Sequence, residues 1–187
     1  MVKETKKGKK NWIKIIAPGE FKDAELGESF VSSPEDLIGK TLFINLSVLL
    51  NDIRKQNINI GFKVIDVKNL QASTKVFSYE LMPAHVRRMV RIMKERIDDS
   101  FIIESKDKLK IRIKPIILTK SKTKQSILNA IRKKTRDKLI KLASEKTFSD
   151  ILKLVISVEL QKTLKTELNK IYPLSTFEIR KLILLNR

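Results

Sequence analysis

The chain contains no cysteine and a single histidine, His85. The missing thiols exclude disulfides, zinc ribbons, iron–sulfur clusters and thiol nucleophiles, and nothing hints at an oxidising compartment, so a cytoplasmic protein is expected. The glycines stand singly at positions 8, 19, 27, 39 and 61, which leaves neither a phosphate loop nor a dinucleotide fingerprint. Aromatic residues make up 6% of the chain, and the one Trp, two Tyr and eight Phe lie mostly inside apolar runs, so reading of single bases is poorly supported. No apolar stretch approaches the roughly 18 residues of a membrane span, and the charged start is followed by no run of signal-peptide length. Secretion and membrane insertion are disfavoured. Catalytic signals are weak as well. His85 has no Ser or Cys nucleophile motif beside it and fits a surface or capping role. The doublet Asp98-Asp99 lacks the further carboxylates that a metal-dependent nuclease converges on one ion. No catalytic residue, metal or cofactor is expected.

What the chain has in abundance is positive charge, 40 Lys+Arg against 21 Asp+Glu for a formal +19, in a sequence that is still 42% hydrophobic. A polyanion is the natural partner of such a balance, and the apolar content is enough to bury a core. The arm over residues 1–11 holds Lys6, Lys7, Lys9 and Lys10 among its charges and should stay unstructured until an anionic partner orders it. Residues 12–187 read as one α+β domain. A mostly antiparallel sheet or partial barrel is expected over the N-terminal two thirds (12–118) with one inserted helix over 83–97, followed by a mainly helical region over 124–187.

Strand composition appears at Trp12–Ile16, with Trp12 expected to anchor the arm to the core, and again at Thr41–Leu50, Phe62–Val67 and Val76–Leu81. The polar stretch Lys68–Lys75 has hairpin character, while Phe21–Ile38 is mixed, with Gly27 and Ser32-Ser33-Pro34 reading as loops around a short apolar stretch at Phe30 and Val31. Further on, Phe101–Glu104 and Leu109–Leu118 form a second pair. There Leu109, Ile111 and Ile113 alternate with Lys110, Arg112 and Lys114, so one sheet face is core and the other cationic. Val86, Met89, Val90, Met93 and Ile97 recur at helical spacing behind Pro83. Helices are expected over Ile127–Leu142 and from about Phe148 to Ile171, the latter opened by a capping box at Thr147–Asp150.

The densest constellation runs from Lys114 to Lys141. Ile127, Ile131, Thr135, Leu139 and Leu142 share one side of a helix, and Arg132, Lys133, Lys134 and Arg136 spread over the rest, continuing Lys120, Lys122 and Lys124 of the preceding loop into a cationic ridge. Each phosphate neutralised there releases counterions, so affinity accumulates from many contacts and falls with salt. A basic helix can also lie on anionic lipid, but this one lacks the apolar bulk for a bilayer. Phe62, Phe77 and Tyr79 could form a stacking platform, although core packing is the better reading.

Several motifs together resemble the archaeal and eukaryotic small-subunit ribosomal protein family called S-three-a-e, or e-S-one, over nearly the whole chain. They are Trp12, Ile15, Ala17-Pro18 and Phe21; Leu26-Gly27; Leu37-Ile38-Gly39 with Leu49-Leu50-Asn51-Asp52; Tyr79-Glu80-Leu81; Val90-Arg91; Ile97-Asp98; and Gln125-Ser126 with Ile131-Arg132-Lys133. Ile171-Tyr172-Pro173-Leu174 followed by Ile179-Arg180-Lys181 is the most specific piece. His85 and Met93 depart from the family's pattern without touching these motifs. Eukaryotic members carry a further C-terminal extension, and with the sequence ending at Arg187 an archaeal-type member is the expected match. The resemblance implies a non-enzymatic component of cytoplasmic ribosomes. It would bind small-subunit ribosomal RNA and neighbouring small-subunit proteins on the platform near the messenger exit, with messenger RNA a further candidate contact. It also adds Arg180 and Lys181 to the expected RNA-binding residues. The alternative is a non-ribosomal nucleic-acid-binding or nucleic-acid-processing protein.

Overall fold

The computed structural model describes residues 10–21 and 23–185. Lys6, Lys7 and Lys9 of the expected arm lie outside them. Between Ser78 and Tyr79 the chain divides into two compact units. The class is α+β: nine strands and five α-helices among the described residues, with antiparallel pairing dominant.

In the first unit, β1 (Asn11–Ile16) pairs antiparallel with β2 (Glu25–Val31) and parallel with β5 (Gln71–Leu81). Strict alternation sends Ile13 and Ile15 inward to pack with Val31, Leu37, Val64 and Ala72, and Lys14 outward. β3 (Thr41–Asn45) lies antiparallel on β4 (Ile58–Lys68), which also pairs with β5. The link between β4 and β5 is only Asn69-Leu70, both left-handed at φ 48° and 61°. That geometry suits the tight turn of a twisted hairpin, so the strand resumes at Gln71, well inside the polar stretch expected to be the connection.

Three expectations for this unit are corrected. Thr41–Leu50 is not one strand: it breaks at Asn45, whose side chain accepts from the backbone N–H and hydroxyl of Ser47 at 2.9 and 2.7 Å. That cap starts the short helix α1 (Leu46–Leu50), a local hydrogen bond outweighing β composition. Phe21–Ile38 contains β2, hidden from composition because Gly27, Glu25 and Glu28 interrupt its apolar positions. Trp12 does not enter the core but is 61% exposed.

The second unit opens on the last residues of β5 and is organised by β8 (Lys110–Thr119), which pairs antiparallel with β6 (Arg96–Asp98), β7 (Phe101–Glu104) and β9 (Leu174–Leu184). Up to Lys114 the expected alternation holds, with Ile111 and Ile113 buried and Lys110 exposed. From Pro115 to Thr119 both faces are buried. Ile116, Ile117 and Leu118 each contribute about 2 kcal/mol of apolar burial there. Three helices, α3 (Gln125–Glu145), α4 (Phe148–Ile156) and α5 (Glu159–Leu168), precede β9. The apolar stripe of α3 is Leu128, Ile131, Thr135, Leu139 and Ala143. Thr135 is tolerated in it because its hydroxyl donates to the Ile131 carbonyl at 2.8 Å.

Here too the helical spacing overreached. α2 covers only Pro83–Met89, and Ile97 sits opposite Ile117 in the β6–β8 pair; Met93 at φ 73° turns the chain between them. Strand pairing, available only in the folded unit, overrides local helical preference. The single helix expected over Phe148–Ile171 is two, interrupted where Val158 adopts φ 64°, with the buried Gln161 amide donating to the Val155 carbonyl at 3.0 Å across the break. The capping box is real: the Asp150 N–H donates to Thr147 Oγ1 at 3.3 Å, and that hydroxyl donates to the Asp150 carboxylate at 2.7 Å. β9 is a strand at the end of a region whose sequence pattern is mainly helical.

Candidate nucleic-acid interface

On α3 the buried stripe occupies one side, which forces the cations of the helix onto the others. Lys133, Arg136, Lys138 and Lys141 are exposed, and Arg132 and Lys134 half-buried. Lys120, Lys122 and Lys124 are exposed on the loop before the helix. That loop is held at several points. Thr119 Oγ1 donates to the Ser121 carbonyl at 2.7 Å, the Lys120 N–H donates to the Pro173 carbonyl at 3.0 Å, and the Tyr172 hydroxyl pairs with Ser121 Oγ at 2.7 Å and donates to the Lys122 carbonyl at 3.2 Å. Tyr172-Pro173, singled out in the sequence as a motif, therefore acts physically by fixing the backbone that carries three of the ridge lysines. Loop and helix bring Lys120, Lys122, Lys124, Arg132, Lys133, Lys134 and Arg136 into one stretch of the second unit.

Not every cation is idle. Arg136 lies 3.5 Å from the Asp99 carboxylate and 5.3 Å above the Phe101 ring, which ties α3 to β7. Lys138 pairs with Glu167 at 2.8 Å, and that contact holds the Glu167 carboxyl below the usual carboxylate range. Lys94 and Lys165 both bond Ser175, at 2.6 and 2.7 Å. An open cleft of about 500 Å³ beneath α3 is lined by Asn129, Arg132, Lys133 and Arg136 against Asp98, Asp99 and Asp137.

A second cleft, of about 320 Å³ and with cations in excess, joins β8, β9 and α2. Register sets Lys114 directly opposite Lys181 across the β8–β9 pair, an arrangement that like charges disfavour. Glu80, 3.0 Å from Lys181, is the counter-charge. Arg180 lines the same cleft while donating to Asp98 at 2.7 Å, and Arg87 of α2 completes it. Arg87 is absent from the expected RNA-binding residues, although its place outside the apolar stripe of its helix was the available signal. Lys110 and Arg112 lie on the same strand as Lys114, exposed and half-buried respectively, and Lys10 belongs to the first unit.

The other candidates do not assemble. Phe62 and Tyr79 are buried and Phe77 half-buried, so they pack rather than stack on a ligand. Burial, then the nearby Arg88, hold the His85 imidazole below its ordinary value and favour its neutral form at physiological pH. Among the described residues no group of three or more potential ligands could hold a metal, and no helix is long and apolar enough to cross a membrane.

Comparison with known proteins agrees with the motifs. The Ribosomal S3Ae family matches residues 2–187. Small ribosomal subunit protein eS1 of Methanobrevibacter smithii is 33% identical over 177 residues, 95% of this chain and 92% of that protein. The protein of the same name from Haloquadratum walsbyi is 32% identical over 95% of this chain and 84% of its own length. That of Nanoarchaeum equitans is 30% identical over 94% and 89% respectively.

Proposed function

This chain belongs to the ribosomal S3Ae family, and from that premise we propose that it is a structural component of the small subunit in cytoplasmic ribosomes, working beside small-subunit ribosomal RNA and neighbouring ribosomal proteins. In this reading it engages the RNA through phosphates, on the platform near the messenger exit, with messenger RNA close by. The observation that carries the phosphate reading is the ridge: exposed Lys120, Lys122, Lys124 and Lys133 on a loop and helix held by the Tyr172 bonds and the buried stripe of α3. A flexible polycation binds RNA indiscriminately, whereas charges on a folded backbone match one arrangement of phosphates and 2′-hydroxyls, which is how helical RNA is recognised. The paired residues Arg136, Arg180 and Lys181 contribute by exchanging protein carboxylates for phosphate or by staying as structural ties.

The test is the combined substitution K120A/K122A/K124A/K133A, which removes charge without breaking an ion pair of the fold. Each phosphate contact contributes about 0.7–0.9 to the slope of log K against log salt, so the slope on small-subunit RNA should fall by about 3 and incorporation into small subunits in extract should drop. An unchanged slope with normal incorporation would overturn the phosphate reading. Turnover of RNA by the purified protein would favour the nucleic-acid-processing alternative.

A further inference from the structure

We propose that Trp12 and Phe30, with Lys10, form a platform on the first unit that stacks one unpaired nucleobase of RNA. The proposal rests on the RNA-binding reading above and adds a second mode of contact, through a base rather than through phosphate alone.

The argument begins with register. Trp12 stands directly opposite Phe30 across the antiparallel β1–β2 pair, so the two side chains share a face, the one opposite to buried Ile13. Their ring centroids are 4.9 Å apart with the planes tilted by 35°, and the residues are 61% and 48% exposed. Tryptophan is usually among the more buried residues. Here the chain's one Trp is spent on the outside of a sheet, in contact with a second aromatic that is also uncovered. Lys10 Nζ lies 5.6 Å from the Phe30 centroid, which puts a cation at the edge of the platform.

Size and charge select the occupant. Two half-exposed rings offer at most a few hundred Å², far below the roughly 800 Å² per partner of a stable protein interface. The area suits a single planar ring. Lys14, the next outward residue on β1, is already matched by Glu25 and Glu28 at 3.3 and 3.9 Å. The cation at the platform's edge is thus Lys10, and the sequence places Lys9, Lys7 and Lys6 just before it. A base has a π face for Trp12 and a linked phosphate for the lysine. A base inside a duplex has its faces covered by its neighbours, so the ligand is an unpaired one.

Because Trp12 is the sole tryptophan, its emission reports on this place alone. The full chain is titrated with a single-stranded RNA of about a dozen nucleotides, with the matching duplex, and with an abasic strand of equal charge. Single-stranded RNA should quench Trp12, whereas the abasic strand should bind with little quenching. W12A and F30A should each weaken single-stranded binding by roughly tenfold to a hundredfold at constant salt, with the salt slope unchanged and W12F retaining most of the affinity. Circular dichroism establishes that the variants fold, and if W12A does not, quenching in the parent chain and its change in F30A still decide. Binding of all three RNAs without quenching, and unaltered in W12A and F30A, would overturn the platform while leaving phosphate binding intact. Failure to bind any RNA would remove both readings. A Trp12 response to anionic vesicles but not to single-stranded RNA would also overturn the platform.

Discussion

Among single residues, Glu178 holds a carboxyl well above its ordinary value. It lies on β9 opposite Ile116, and burial pushes its carboxyl up from 4.5 to about 7, with Lys165 pulling the other way. Burial, then the charge of Glu178, also raises the Tyr79 phenol. Between about pH 4.5 and 7 the folded protein therefore holds a proton that the unfolded chain has released. The contribution of Glu178 to stability is greatest below that window, falls as pH rises through it, and carries the full penalty above pH 7, up to about 3 kcal/mol. E178Q should flatten this slope and raise stability at pH 8, read from urea unfolding across the window. The sequence offers no hint of this carboxyl's burial, because the pattern over 124–187 reads as mainly helical and a lone Glu between Phe177 and Ile179 does not show which face it takes.

Among the elements, β4 illustrates how close backbones fix a residue type. A Cβ placed on Gly61 would meet Ser78 Oγ and would lie 2.8 Å from the Phe77 ring and 2.9 Å from Phe43, side chains of the two strands flanking β4. G61A should cost about 1–3 kcal/mol through overpacking, seen as a lower urea midpoint with the m-value kept. The elements themselves were legible where periodicity and local chemistry agreed. α3, the paired strands β4 and β5, and the Thr147 cap all follow from residues within a few positions of one another. Legibility failed where a distant strand decided the matter. The Val86 to Ile97 pattern fits a helix equally well, but β8 was waiting to pair with Arg96–Asp98, and no local signal carries that information.

At the scale of the whole molecule, +19 on 187 residues means that the folded protein stores self-repulsion. Raising salt from about 0.01 M to about 0.2 M shortens the screening length severalfold, so the melting temperature should rise, while affinity for RNA falls over the same range. A melting temperature that dropped would mean that the protein's own ion pairs, such as Arg180–Asp98, outweigh the repulsion. Family and partner class were open to the sequence because they rest on composition and short motifs: charge balance, the basic run around α3, and the Tyr-Pro-Leu segment survive without coordinates. Which cations stand clear and which are tied to carboxylates was decided by tertiary structure, as Arg136 against Asp99 and Lys181 against Glu80 make plain. So was the exposure of Trp12, whose place at the head of the apolar run to Ile16 suggested a core. Charge and periodicity are sums over nearby residues and can be read along a chain, whereas burial and pairing depend on which distant strand arrives alongside, and only folding settles that.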